Sequence, residues 1–135
     1  MKYRTPGIKN KYYIPKEDYL TAIHYSLRYP IWKMEMDSIA DTSRAIRYDK
    51  DNVQSGDYDS TFEAAVLLTE STTAKKIRLI DDIITQVSKG LDNWLRLGVC
   101  YGLTFEELKS KGMPCERGLY YQIRRHYYFE LAKKI

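Results

Sequence analysis

Three arginines and two tyrosines recur at helical spacing near the end of the chain, and together they have the chemistry to bind nucleic acid. Arginine can grip guanine edges or phosphates, and tyrosine can donate to phosphate or stack on sugar and base. At about 100° per residue these side chains fall within roughly 80° of the first arginine, on one face of a helix. The predicted DNA-contacting residues of this face are Arg117, Tyr121, Arg124, Arg125 and Tyr128.

Lysines stand on both sides of this face in the sequence. Lys109 and Lys111 precede it, and Lys133 and Lys134 follow it. A lysine that meets a phosphate positions a protein on DNA but carries little base information. We therefore expect these four lysines to hold the backbone while the arginine face reads bases.

The aspartates and cysteines of the chain, residue types that can bind metals, do not form a recognisable metal site. Counting from Asp49, Gln54 and Ser60 stand where a calcium-binding EF-hand loop has Gly and Glu. Cys100 and Cys115 lack the closely spaced partners that structural zinc sites favour. The sequence predicts neither a metal nor another cofactor.

Catalytic motifs are also missing from the sequence. There is no Gly-rich phosphate loop, no nucleophile elbow and no nucleophile paired with a base, so we expect that the protein is not an enzyme. Cys115 precedes a predicted helix, whose N-terminus would lower the thiol pKa and raise reactivity. Redox control through this thiol is a further hypothesis.

The predicted DNA-contacting face belongs to the second of two helices joined by a short turn. Thr104 and Glu107 form a capping box that opens the first helix. Gly112 and Pro114 mark the turn, and the final helix covers about 115–134. This is the layout of a helix-turn-helix, in which the first helix braces against the phosphate backbone and the second enters the major groove.

The inward side of this unit is predicted from the same periodicity. Leu119, Ile123 and His126 fall opposite the arginine face and should pack towards Phe105 and Leu108. A preceding helix over about 91–101, which carries Trp94, should close the small core.

The rest of the chain also shows helical rather than strand periodicity, so the fold class is predicted to be all-α, a helical bundle with a C-terminal helix-turn-helix. Residues 1–13 read as a flexible basic arm, 14–89 as a helical region with a loop over 40–60, and 90–135 as the DNA-binding unit. Pro30 should interrupt the first helix, and the polar stretch 70–73 could kink a long helix over about 60–89. The expected buried stripe of the first helix is Leu20, Ile23, His24 and Leu27, and that of the second includes Ile31, Trp32, Met34 or Met36.

Composition agrees with one domain that works in a reducing compartment. The chain has 135 residues, a formal charge of +4 and 44% hydrophobic residues. Two cysteines argue against a disulfide scaffold, and no apolar run is long enough to span a bilayer, so we expect a cytoplasmic protein with no membrane partner. Charge is divided along the chain: residues 1–34 and 86–135 are net basic, and residues 35–85 are net acidic. Basic segments of this kind are typical of nucleic-acid contact.

The order of these segments resembles the small phage-encoded transcriptional regulators of the RinA/ArpU type. The likeness covers most of the chain in layout, and its detailed signal lies in the tail LRLGVCYGLTFEELKSKGMPCERGLYYQIRRHYYFELAKKI, which also resembles the DNA-binding end of sigma factors. The resemblance implies that Arg117, Tyr121, Arg124 and Arg125 occupy recognition-helix positions. Pro114-Cys115 at the helix start and the many tyrosines depart from the usual pattern.

This resemblance implies a sequence-specific DNA-binding regulator of late or packaging genes, acting in the cytoplasm of a bacterial host. Double-stranded DNA is then the main partner, and the acidic middle region is free to contact RNA polymerase, another phage protein or a second copy of the chain in a homodimer. Two alternatives stay open: a small-terminase-like DNA-binding packaging protein, and a helical interaction module that never touches DNA.

Overall fold

The computed structural model describes residues 6–39 and 60–135, and for residues 60–71 it describes the backbone alone. The described part of the chain is helical and contains no strand, which confirms the all-α prediction and is consistent with a helical bundle. The helices are α1 (Lys16–Leu27), α2 (residues 29–39), α3 (Ser60–Val87), α4 (Asp92–Cys100), α5 (Phe105–Ser110) and α6 (Arg117–Lys134). Asp49 and all of the predicted loop over 40–60 except Ser60 lie outside the described residues.

The chain divides into two compact units, the first made of Met1–Pro30 with Leu79–Ile135 and the second of Ile31–Arg78. In the first unit, α1 packs on α6 and α4, and α4 also packs on α5 and α6. The most deeply buried side chains of this unit include Ile23, Ile80, Ile84, Leu95, Leu108, Tyr127 and Leu131. Helix α6 therefore lies in the middle of the first unit, with neighbours on more than one side.

Two predicted interruptions take a different form in the structure. Pro30 does not end α1, which stops at Leu27; it lies in the first turn of α2, where a missing backbone N–H removes no hydrogen bond. The polar stretch 70–73 does not divide α3, which continues from Ser60 to Val87. The chain then reverses through Lys89 and Gly90, whose φ values of 52° and 88° both lie in the left-handed region.

The buried face of α1 is turned relative to the prediction. Ile23 is buried as expected, but His24 is exposed and Leu20 and Leu27 are half-buried. The other buried residues of this helix are Tyr19, Ala22 and Ser26. Ser26 Oγ donates a hydrogen bond to the Ala22 carbonyl (2.9 Å) and lies 2.8 Å from the Tyr127 hydroxyl of α6, so this face was missed because it includes a serine and a tyrosine.

A polar network joins Tyr29, the first residue of α2, to α3 and α4 inside the first unit. The hydroxyl of Tyr29 donates to Asp81 Oδ1 (2.9 Å), Arg96 Nε donates to the same oxygen (3.1 Å), and Arg96 Nη2 forms an ion pair with it at 3.0 Å. Arg96 Nη1 also donates to Asn93 Oδ1 (3.0 Å). Each partly buried member therefore has a charged or polar neighbour, as such groups require.

In the second unit, Trp32 of α2 is buried and the Lys76 ammonium lies 5.3 Å from its ring centroid. Ile31 and Met34, which were candidates for the same buried face, are 51% and 71% exposed. No helix within the described residues is both long enough and apolar enough to cross a membrane.

Candidate nucleic-acid interface

The start of α5 is fixed by the predicted capping box, which the structure confirms. Thr104 Oγ1 accepts from the Glu107 backbone N–H (3.2 Å), and Glu107 Oε1 accepts from the Thr104 N–H (3.4 Å). Two backbone donors that a helix start leaves unpaired are thus satisfied reciprocally. This short helix gains a defined first turn despite having only six residues.

The turn after α5 is a Schellman motif, which makes the connection to α6 rigid. Gly112 has a φ of 102°, a left-handed value that glycine adopts without strain. Its N–H donates to the Lys109 carbonyl (3.0 Å), and the Met113 N–H donates to the Leu108 carbonyl (3.1 Å). The accompanying apolar contact is present too, because Met113 and Leu108 are both buried in one cluster.

That cluster ties α5, the turn and α6 to one another. Its buried members are Phe105, Leu108, Met113, Cys115 and Tyr120, and Trp94 of α4 packs against it as a partly buried side chain. The helix predicted over about 91–101 is therefore present as α4, and it closes this small core. Burial raises the pKa of the Cys115 thiol, so the expectation of a lowered thiol pKa is wrong: desolvation of the side chain dominates there.

Helix α6 presents a different face from the predicted one. Tyr128 is 1% exposed, and the whole inward arc contains Tyr120, Ile123, Tyr127, Tyr128 and Leu131. The prediction that Tyr128 lies on the accessible face is therefore wrong. Leu119, which was predicted to face inward, is 39% exposed. The error came from treating tyrosines as polar: Tyr120, Ile123, Tyr127 and Leu131 form a helical stripe only when the rings count as apolar.

Arg124 lies at the edge of the buried arc rather than on the open surface. Its guanidinium carbon is 5.6 Å from the Tyr128 ring centroid and 6.0 Å from that of Tyr121, and its Nε is buried without a hydrogen-bond partner. The Tyr19 ring meets the Tyr128 ring edge-on at 5.2 Å between centroids. Arg124 thus packs against a group of tyrosines, and its stem and guanidinium act mainly within the protein.

The first half of α6 has an accessible outer side, formed by residues that are neighbours on the helix surface. Arg117, Gly118 and Gln122 are exposed, and Tyr121 and Arg125 are half-buried. A Cβ atom added to Gly118 would meet nothing within 4 Å, so the backbone is open to a close approach from outside. Gln122 was missed in the sequence, although it lies opposite the Tyr120–Ile123–Tyr127 stripe.

Arg117 is held by contacts from α5. Its Nη2 donates to Glu106 Oε1, and its guanidinium carbon lies 4.9 Å from the Phe105 ring centroid and 6.0 Å from that of Tyr121. The side chain remains 58% exposed. Arg117 is therefore both accessible and oriented.

The end of α6 is partly covered by the N-terminal segment. The Tyr12 ring stacks on the His126 ring at 4.5 Å between centroids and lies 5.7 Å from that of Phe129. Within the predicted arm, the described residues therefore include one that packs on α6. His126 Nε2 lies 3.4 Å from Glu130 Oε1, so this histidine is at the boundary rather than inside the core.

The four predicted phosphate-binding lysines are all exposed, with different neighbours. Lys109 Nζ donates to the Met113 carbonyl (3.2 Å), which adds a further link across the turn. Lys133 Nζ lies 3.5 Å from Glu130 Oε1 and 4.1 Å from the Phe129 ring centroid. Lys111 lies at the C-cap of α5, and Lys134 in the last turn of α6.

Comparison with known proteins identifies no relative of this chain. No family model, no curated protein and no solved structure matches the chain significantly.

Proposed function

We propose that the protein binds double-stranded DNA through the start of α6, as a sequence-specific regulator of transcription. The observation that carries this proposal is the rigid α5–turn–α6 unit, whose second helix has Arg117 and Gln122 exposed and Arg125 half-buried on the same side, beside an open glycine. Arginine and glutamine have the hydrogen-bonding groups that read guanine and adenine edges in the major groove.

Rigidity matters because base readout depends on the direction of each hydrogen bond. The capping box, the Schellman turn and the buried cluster leave little freedom between α5 and α6. A recognition helix that is fixed in this way loses less conformational entropy when it binds, and it can tell bases apart by geometry. The exposed lysines of α5 and α6 would add attraction for phosphates.

The finer assignment rests on the resemblance to RinA/ArpU-type phage regulators. On this proposal the protein acts in a bacterial host on late or packaging genes, with RNA polymerase or a second copy of the chain as a further partner. A small-terminase-like packaging protein would use the same surface. Transcription from a promoter that carries the bound site separates the two, because a packaging protein leaves that transcription unchanged.

A helical protein-interaction module is the second candidate, and the exposed apolar side chains of α2 favour it. Ile31 and Met34 stand three residues apart and thus on one side of the helix, at 51% and 71% exposure. On this alternative the start of α6 has no affinity for DNA.

The test is binding of the full chain to duplex DNA at several salt concentrations. The chain first selects a preferred duplex from a random-sequence library, and Arg125→Ala is then compared with Arg28→Ala. Arg28 is a suitable control because it is an exposed arginine at the C-cap of α1, so both variants lose one positive charge.

We expect Arg125→Ala to lose about 1–3 kcal/mol of binding free energy for the selected duplex and Arg28→Ala to lose much less. Equal, small losses in the two variants would refute the assignment of this surface. If the full chain selects no sequence, the interaction-module alternative is preferred.

A further inference from the structure

Glu106 is the one acidic side chain that contacts the proposed reading surface through an ion pair among the described residues. It reaches Arg117 from the first turn of α5, and both side chains are more than half exposed, at 64% and 58%. Hydrogen bonds from its own backbone N–H and from Arg117 lower the pKa of the Glu106 carboxyl, so it is ionised at neutral pH. An acid beside a proposed DNA contact opposes phosphate binding and therefore requires an explanation.

The ion pair holds the Arg117 side chain in one direction, and the carboxylate of Glu106 cancels much of the positive charge at this point of the surface. A guanidinium has five N–H donors, and the bond to Glu106 occupies only Nη2, so other donors stay available. The ring of Phe105, 4.9 Å from the guanidinium carbon, limits the rotation of the side chain. The carboxylate next to it repels any phosphate that approaches, which offsets the Coulomb attraction of the arginine.

A guanine edge does not suffer this repulsion to the same degree. Its N7 and O6 are neutral acceptors in a fixed arrangement, and they reward an arginine that is already oriented. The open space above Gly118, the next residue, allows a base edge or a sugar to come close to this point of α6.

We propose that Glu106 is a positioning residue that directs Arg117 to a guanine edge in the major groove and away from phosphate. This inference rests on the proposed DNA-binding function and adds the base that is read and the residue that enforces the choice. Glu106 thus contributes to specificity by lowering the affinity for non-cognate DNA.

Three variants of the full chain test the proposal: Glu106→Gln, Glu107→Gln and Arg117→Lys. Glu107→Gln is the matched control because it removes one negative charge from the same turn, while glutamine still serves the capping box with Thr104. Arg117→Lys keeps the positive charge and removes the planar fork. Each is measured on the selected duplex and on a scrambled duplex of the same composition, over a range of salt concentrations.

For Glu106→Gln we expect tighter binding to the scrambled duplex, because the released arginine gains a phosphate contact. The slope of log affinity against log salt on that duplex should then steepen by about 0.9, the value for one contact. The ratio of selected to scrambled affinity should fall, whereas Glu107→Gln should keep the wild-type ratio and slope.

For Arg117→Lys we expect the affinity ratio to fall by roughly 5- to 150-fold, with little change in the salt slope on the scrambled duplex. Substitution of 7-deazaguanine at one guanine of the selected duplex should weaken the wild-type protein and leave Arg117→Lys unaffected. The modified base removes the N7 acceptor and keeps base pairing and charge.

Two results would overturn the inference while leaving DNA binding in place. One is an affinity ratio that is the same in Glu106→Gln and Glu107→Gln. The other is the absence of any guanine whose 7-deaza substitution loses its effect in Arg117→Lys. If the wild-type chain selects no duplex at all, the proposed function fails and the inference fails with it.

Discussion

Among the glycines that the structure describes, Gly98 leaves the least room for a side chain, which gives a sharp test of how α4 and α6 pack. An alanine Cβ at this position would lie 2.0 Å from Tyr120 Oη, 3.2 Å from Tyr120 Cζ and 3.5 Å from Leu108 Cδ1. Contacts of Cβ below 3.0 Å are essentially never observed, so Gly98→Ala must displace the hydroxyl by about 1 Å. Tyr120 is 2% exposed, and its rigid ring can move only if α6 or the surrounding cluster moves with it.

The magnitude follows from two opposing terms. Overpacking of a core costs about 1–3 kcal/mol, and an overlap this large belongs at the upper end of that range. Replacement of a glycine inside a helix by alanine contributes about 1 kcal/mol in the other direction. We therefore expect Gly98→Ala to lower the free energy of unfolding by about 2 kcal/mol.

Tyr120→Phe supplies the matched background, because it removes the clashing oxygen and leaves the ring. The nearest atom is then Cζ at 3.2 Å, which needs a shift of only a few tenths of an ångström. In this background the higher helix propensity of alanine should offset the remaining strain. Gly98→Ala should then leave the free energy of unfolding almost unchanged. The two substitutions should thus show a coupling energy of about 2 kcal/mol in a double-mutant cycle.

Urea unfolding followed by circular dichroism measures all four proteins of the cycle. The packing argument would be refuted by additive effects, or by a Gly98→Ala protein at least as stable as the wild type in the presence of Tyr120. Either result would mean that α4 and α6 do not approach through this glycine.

Three further predictions concern arginines, ionisation and the open glycine. Arg124→Ala should lower the thermal midpoint, because its guanidinium packs against buried tyrosines, while Arg125→Ala should leave it within error of the wild type; equal midpoints would contradict the assignment of Arg124 to the interior edge. Burial raises the pKa of Cys100 from 9.0 to about 12, so its contribution to stability is complete below pH 9 and is lost as the pH rises towards 12, at up to about 1.4 kcal/mol per pH unit. Urea titrations at pH 7, 9 and 10 should show a fall between pH 9 and 10 that is smaller in Cys100→Ala, and an identical fall in both proteins would count against this cause. Gly118→Ala should raise the free energy of unfolding by up to about 1 kcal/mol and weaken binding to the selected duplex; undiminished binding would show that nothing approaches this backbone closely.

The helices and several of their ends could be predicted from sequence because the signals are local. The box Thr104–Glu107 and the glycine at 112 act on backbone groups within four residues, so their geometry follows from residue type and spacing. Other local signals were misread because the same residue type is compatible with two positions relative to a helix. Pro30 is compatible with the end of one helix and with the first turn of the next, and only the position of α2 distinguishes them.

The face that each helix buries was decided by tertiary structure. Tyrosine has an apolar ring and a polar tip, so it suits the surface or the interior depending on what its hydroxyl meets. Ser26 of α1 meets the Tyr127 hydroxyl, and the Tyr19 ring meets the ring of the buried Tyr128, contacts that join residues about 100 positions apart. No local pattern contains those partners, which is why Tyr128 was misplaced and Gln122 was missed. The sequence by itself determined which segments are helical, and the packing of α1 against α6 determined which arginine faces solvent.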